Sequence, residues 1–265
     1  MDRTLSLVAS DIGKVAAQMG TRVLLVGAYA RDLCLGPTSS PTRGTNDADF
    51  AVLLENWDHV DAFFSKCLEL FRDVDHAELK MYHRTTGLKV DIVPCGPIET
   101  PPGTLALRGS VRLFNTVGLA ECFELGTRLG PAVPEVLVPP PAGFLVLKLF
   151  AFTDRRERRD LRDLGHVLTR FPIEDDLVWA DDQLLAAFAD GSLTYEDVRF
   201  WQVGRDIAAK FTAETTAHVI AALDGLLQDK PELRSLVVEH ATLDSDQRLE
   251  RADRALQILR RACIS

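Results

Sequence analysis

Three aspartates stand at positions that otherwise favour strand formers. Asp47 and Asp49 are one residue apart in "NDADFAV", and Asp91 lies between Val90 and Ile92 in "LKVDIVP". Aspartate is depleted from strands, and carboxylates drawn side by side out of water are costly unless a cation sits between them. Alternate residues of a strand face the same way, which puts Asp47 and Asp49 roughly 6–7 Å apart on one face. Joined by Asp91, they would form an all-oxygen site for a hard cation. Magnesium takes a few carboxylates, keeps some water and bridges to phosphates. Two such ions roughly 4 Å apart can stabilise both the attacking and the leaving oxygen of a phosphoryl displacement. Any one of the aspartates alone reads more readily as a turn, a cap or a solvent-side residue of an edge strand. The set of three, with a glycine upstream, favours the cation site.

That glycine is Gly27, which ends the apolar run before "GAYARDLC". It permits close backbone approach to a phosphate, and a helix beginning at Ala28 would aim its N–H groups at the same anion. A plain strand-to-helix turn is the commoner role of such a glycine. Neither a G-x-G-x-x-G nor a G-x-x-x-x-G-K-[ST] pattern occurs, which argues against dinucleotide-binding and P-loop chemistry. Lys148 sits in "FLVLKLFAF", flanked by residues that want burial. Its ammonium must snorkel to water or meet an anion. Asp160 and Asp163 lie one turn apart on a predicted helix and share a face. Pairing with local arginines is the plainer reading of both. Arg31 and Asp32 could form an internal ion pair.

The elements that must position these residues can be read from periodicity. The pattern predicts helices over 4–19, 28–35 and 57–71 and strands over 22–26, 47–54, 78–83 and 88–93, with a loop over 36–46 and a turn at Thr86-Gly87. Residues 94–103 read as a loop, with short strands around 113–117, 122–125 and 136–138. From Ala142 the spacing is helical: 142–153, 159–170, 181–189, 194–211, 213–228, 231–240 and 244–263. The prediction is an α+β protein, with a mixed sheet and helices over residues 1–139 and an all-helical domain over 140–265. The triple proline Pro139–Pro141 marks the join.

Composition narrows the function. With 265 residues, 46% hydrophobic and 26% charged, the chain is globular in type. A net charge of -9 argues against general nucleic-acid binding, although "DRRERRDLRD" (154–163) could be a local basic patch or a solvated helix face. Five cysteines without C-x-x-C spacing and six scattered histidines fit free thiols rather than zinc or disulfides. No leader pattern and no long apolar span are evident, so a cytoplasmic protein with no membrane partner is expected.

The ordered set resembles the polymerase-β-type nucleotidyltransferases through Gly27-Ala28, Asp47-Ala48-Asp49 and Asp91. "VGAYARDLCLG" and "RGTNDADFAV" are similar to CCA-adding enzymes and to AbiEii-like toxins through Arg31, Asp32, Arg43 and Thr45. Lys148, Arg159, Asp160 and Asp163 resemble the toxin branch. The likeness covers about residues 20–170. Ala28 departs from the Gly-Gly or Gly-Ser usual there and removes one hydroxyl contact. The resemblance implies Mg2+, with Mn2+ as an alternative, held by Asp47, Asp49 and Asp91. It implies nucleotide binding by Gly27, Ala28, Arg31, Arg43, Thr45 and Lys148, and catalytic roles for Asp47, Asp49, Asp91 and Asp160. The implied reaction moves an NMP from an NTP to an acceptor hydroxyl on tRNA, other RNA, protein or a small molecule, as the toxin of a toxin–antitoxin pair with an antitoxin partner. Two alternatives stay open: a catalytically weak binding protein of the same fold, and an aminoglycoside-type antibiotic nucleotidyltransferase.

Overall fold

A computed structural model describes residues 2–35, 45–75, 78–108, 113–131, 133, 135–239 and 242–264. The chain divides into two compact units, Met1–Phe144 and Leu145–Ser265.

The first unit opens with α1 (Arg3–Met19), β1 (Val23–Val26), α2 (Gly27–Cys34), β2 (Asp47–Leu53) and α3 (Trp57–Cys67). There follow β3 (Phe71–Asp75), β4 (Lys80–His83), β5 (Lys89–Cys95), β6 (Thr104–Ala106), β7 (Leu113–Asn115), α4 (Leu119–Leu125), β8 (Thr127–Arg128) and β9 (Val136–Val138). Seven strands form one mixed sheet in the order β3-β4-β5-β2-β1-β9-β8, and β6 and β7 form a separate ribbon. β2 runs antiparallel to β1 and parallel to β5. The centre is built from Val23, Leu24, Leu25, Phe50, Val52 and Val90, all fully buried. α1 turns Leu5, Val8, Ile12 and Val15 inward at helical spacing, each such burial contributing about 1.5–3 kcal/mol. Asp2 caps the start of α1, and Gly20 ends it in the left-handed region.

The second unit is helical. It comprises most of α5 (Pro141–Arg155), then α6 (Arg158–Arg170), α7 (Asp175–Ala180), α8 (Asp182–Ala189), α9 (Val198–Lys210), α10 (Ala213–Leu227), α11 (Pro231–Arg234) and α12 (Ser245–Ile264). Single 3₁₀ turns at Tyr195–Asp197 and Ser235–Val237 connect some of them. α12 packs chiefly on α9. Gly204 makes their close approach feasible, because a Cβ there would lie 2.5 Å from Ala262 Cβ and from Leu259 O. Asp197 is fully buried at the head of α9. It accepts from Thr194 N–H at 2.9 Å and pairs with Arg251 at 2.6 Å and Arg254 at 2.5 Å, both on α12.

The α+β architecture with a helical C-terminal region is as the periodicity predicts. Several elements differ. Residues 122–125, expected as a strand, belong to helix α4, whose buried Leu119, Cys122 and Phe123 follow i, i+3, i+4 spacing between two glycines. α3 ends at Cys67, and Phe71 opens strand β3 instead. β5 continues through Pro94 to Cys95, beyond its expected end, paired with Val52 and Leu53. The expected helix over 231–240 is a short helix and a 3₁₀ turn. β3, β6, β8 and α7 were not expected.

Candidate active site

β2 and β5 bring the three aspartates together. Along β2, Ala48 and Phe50 point into the core while Asp47 and Asp49 share the half-exposed face. β5 alternates in the same way, with Lys89 and Asp91 half-exposed and Val90 and Ile92 buried. The parallel register sets Asp49 beside Asp91 and Asp47 beside Lys89. One carboxylate oxygen from each of Asp47, Asp49 and Asp91 lies within 4.8 Å of the others.

Each carboxylate has its own support. Asp47 Oδ1 accepts from the Thr45 hydroxyl at 2.5 Å. Thr45, expected at the nucleotide, is thus seen bracing a carboxylate. Asp49 lies against Gly27, which has φ +70°; a Cβ at that position would sit 2.0 Å from Asp49 Oδ2. The glycine therefore makes room for the acid as well as for the turn. Val26, opposite Asp49 in the β1–β2 ladder, immediately precedes α2. Val26, the N-cap residue, supplies no side-chain cap, and α2 starts next to Asp49. Ala28, in the first turn of α2, is buried.

Asp91 is held by Lys89, a residue that sequence reasoning missed. The ammonium is 3.0 Å from Oδ2 and 2.9 Å from Oδ1. Only the first contact is aligned as a hydrogen bond; Oδ1 is buried and accepts none. Burial opposes the Lys89 charge, but the hydrogen bond to Asp91 and the attraction of Asp91, Asp47 and Asp49 outweigh it and raise its pKa above the usual lysine value. Burial, with the charges of Asp2, Asp47 and Asp32, likewise raises Tyr29 in the first turn of α2.

The other expected residues lie on α2, in the helical unit or outside the described residues. Arg31 is buried and pairs with Asp32 at 2.8 Å, the internal ion pair that its neighbour suggested. Arg43 lies outside the described residues. Lys148 and Asp160 belong to the helical unit. Lys148 is 7% exposed, and its ammonium lies 2.8 Å from Asp163 and 3.2 Å from Asp160. Asp160 is fully buried and also receives Arg155 Nε at 2.6 Å. The lysine thus meets protein anions inside its own unit. In the basic run, Arg155 pairs with Asp160, Arg156 with Asp229 and Arg159 with Glu157. All five cysteines are free, and burial pushes Cys34, Cys67 and Cys263 up to about 12.

A hard divalent cation fits this donor set: three carboxylates, one of which has a buried oxygen without a hydrogen bond. The mixed sheet thus carries Asp-x-Asp on one strand and a third aspartate on its parallel neighbour. The family described as "Nucleotidyl transferase AbiEii toxin, Type IV TA system" matches residues 15–257, and the chain belongs to it. No curated protein sequence matches the chain. Among solved structures, an antigenic nucleotidyltransferase-like protein from Paracoccidioides brasiliensis is similar at 16% identity and TM-score 0.39, over 71% of this chain and 87% of that one. A CCA-adding enzyme in complex with CTP is similar at 17% identity and TM-score 0.36, over 89% of this chain. The chain spans only 56% of that enzyme's length. None of the described helices is long and apolar enough to cross a membrane.

Proposed function

We propose that this chain transfers a nucleoside monophosphate from an NTP to an acceptor hydroxyl and releases pyrophosphate, as the toxin of a type IV pair with an antitoxin partner. The observation that carries this reading is the convergence of Asp47, Asp49 and Asp91 beside Gly27 and the start of α2. Family membership supports both the reaction class and the toxin role.

In this reading Asp47, Asp49 and Asp91 hold Mg2+ or Mn2+. The bound cation supplies neutralisation of triphosphate charge and stabilisation of the leaving oxygen. Gly27, Ala28 and the first N–H groups of α2 receive phosphate oxygens. Asp91 accepts the proton of the acceptor hydroxyl as its oxygen bonds to the α-phosphorus and the bond from that phosphorus to the pyrophosphate oxygen breaks. Thr45 keeps Asp47 in place, and Arg43 is a further candidate for the phosphates. Asp160 and Asp163 hold the Lys148 ammonium inside the helical unit. Positioning and charge neutralisation carry the rate.

The test is incubation with each labelled NTP, Mg2+ and total RNA, followed by separation of RNA, protein and small molecules. Label is expected in one acceptor class, with release of pyrophosphate, and not with Asp49→Asn. NTP binding without label in any fraction would favour the catalytically weak alternative.

A further inference from the structure

Lys89 occupies a position that the acid cluster does not obviously need. It lies on β5 directly beside Asp47 and two residues before Asp91, so its side chain leaves the sheet on the same face as all three acids. Its side chain is 28% exposed and that of Asp91 23%, so water could solvate both without pairing. Instead the ammonium sits against both carboxylate oxygens, 3.0 Å from Oδ2 in an aligned hydrogen bond and 2.9 Å from the buried Oδ1. The lysine therefore fixes the rotation of the carboxylate. It also brings a positive charge into contact with a group that a divalent cation would use.

We propose that Lys89 is a positioning residue with two opposed effects: it fixes the Asp91 carboxylate beside Asp47 and Asp49, and its charge weakens cation binding until a triphosphate arrives. This inference rests on reading the cluster as the metal site. An ammonium and a divalent ion touching one carboxylate repel each other, and the repulsion is large at a part-buried site. A triphosphate adds negative charge beside the same face and offsets it. The cluster then fills with the metal–nucleotide complex rather than with the metal alone.

The experiment is titration of the full chain with Mn2+ alone, followed by electron paramagnetic resonance, for wild type, Lys89→Met, Lys89→Gln, Lys89→Arg and Asp91→Asn. Lys89→Met and Lys89→Gln should each tighten Mn2+ binding by about tenfold, the scale of one charge–charge contact at a part-exposed site. Lys89→Arg, which keeps the charge, should return affinity to near the wild-type value. Transfer by Lys89→Met should show a lower kcat, because Asp91 has lost its brace. Asp91→Asn should weaken Mn2+ binding. If it does while Lys89→Met and Lys89→Gln bind Mn2+ no more tightly than wild type, the inference falls and the metal site stands. If Asp91→Asn leaves Mn2+ binding unchanged, both fall. A purely structural lysine would lower thermal stability without moving Mn2+ affinity, which would also overturn the inference.

Discussion

Asp47, Asp49 and Asp91 in the sheet unit and Asp160 and Asp163 in the helical unit are carboxylate clusters with opposite surroundings. The sheet acids are half-exposed, and one of their oxygens accepts no hydrogen bond. The helical acids are buried, and Lys148 and Arg155 lie against them. Burying a carboxylate is tolerable only with a resident counter-charge, and Asp160 has that at both oxygens. Asp47 and Asp49, half-exposed on one face of β2, can take a mobile counter-charge instead, and Asp91 shares its charge with Lys89. In the proposed reading, the difference separates a group that binds from a group that holds.

The sharpest way to break this contrast is to neutralise one acid from each cluster. Asp49→Asn should lower transfer by on the order of 10²–10³ or more while leaving stability near wild type. Asp160→Asn should cost about 3 kcal/mol in urea unfolding, because it strips Lys148 and Arg155 of a buried partner. Wild-type stability in Asp160→Asn would dissolve the distinction. The pairing also changes what Lys148→Met should do. With Asp160 and Asp163 against the lysine, loss of its charge leaves buried acids behind and should lower stability.

A smaller effect is expected at Gly27. Gly27→Ala combines a positive φ with a Cβ 2.0 Å from Asp49 Oδ2, and should cost about 1–2 kcal/mol of stability. Transfer should fall with it, since Asp49 must move. Full activity in that variant, measured as label transferred per minute, would show that the acid does not depend on its cradle.

The smallest effect concerns acid stability of the helical unit. Burial alone would raise the Asp197 pKa, but the hydrogen bonds from Arg254 and Thr194 and the charge of Arg251 outweigh it and hold the group below 3.8. A depressed carboxyl contributes stability that is complete above its unfolded value and is lost as pH falls through the folded one. Thermal melts from pH 6 to 3 should therefore show a decline below pH about 4 that is shallower in Asp197→Asn. Parallel curves would remove Asp197 from the account.

The acids were legible because a period of two is visible in a single strand. Asp47 and Asp49 must share a face whatever they pair with. Lys89 was not legible for the complementary reason. A lysine in "LKVDIVP" reads as a solvated side chain, and its placement beside Asp47 follows from the β2–β5 register, which no local pattern states. The same holds for Gly27, where the turn is local but the carboxylate above it comes from another strand. β3, β6 and β8 escaped because they are short or charged and are strands only by virtue of their neighbours. Residues 122–125 misled because four residues cannot separate one period from the other, whereas the whole of 119–125 can.

The side-by-side pairing of Asp49 with Asp91 has a consequence for how this chain can vary. Residues 54–88 lie between the two strands and carry α3, β3 and β4; changes of length in their loops leave the pairing intact. A single residue inserted within 47–53 or 89–95 is a different event. It slips the ladder by one, sends an acid to the apolar face and draws a core residue to the cluster. Tolerance to insertion is thus divided sharply along the chain, and the boundary is drawn by strand register rather than by distance from the acids.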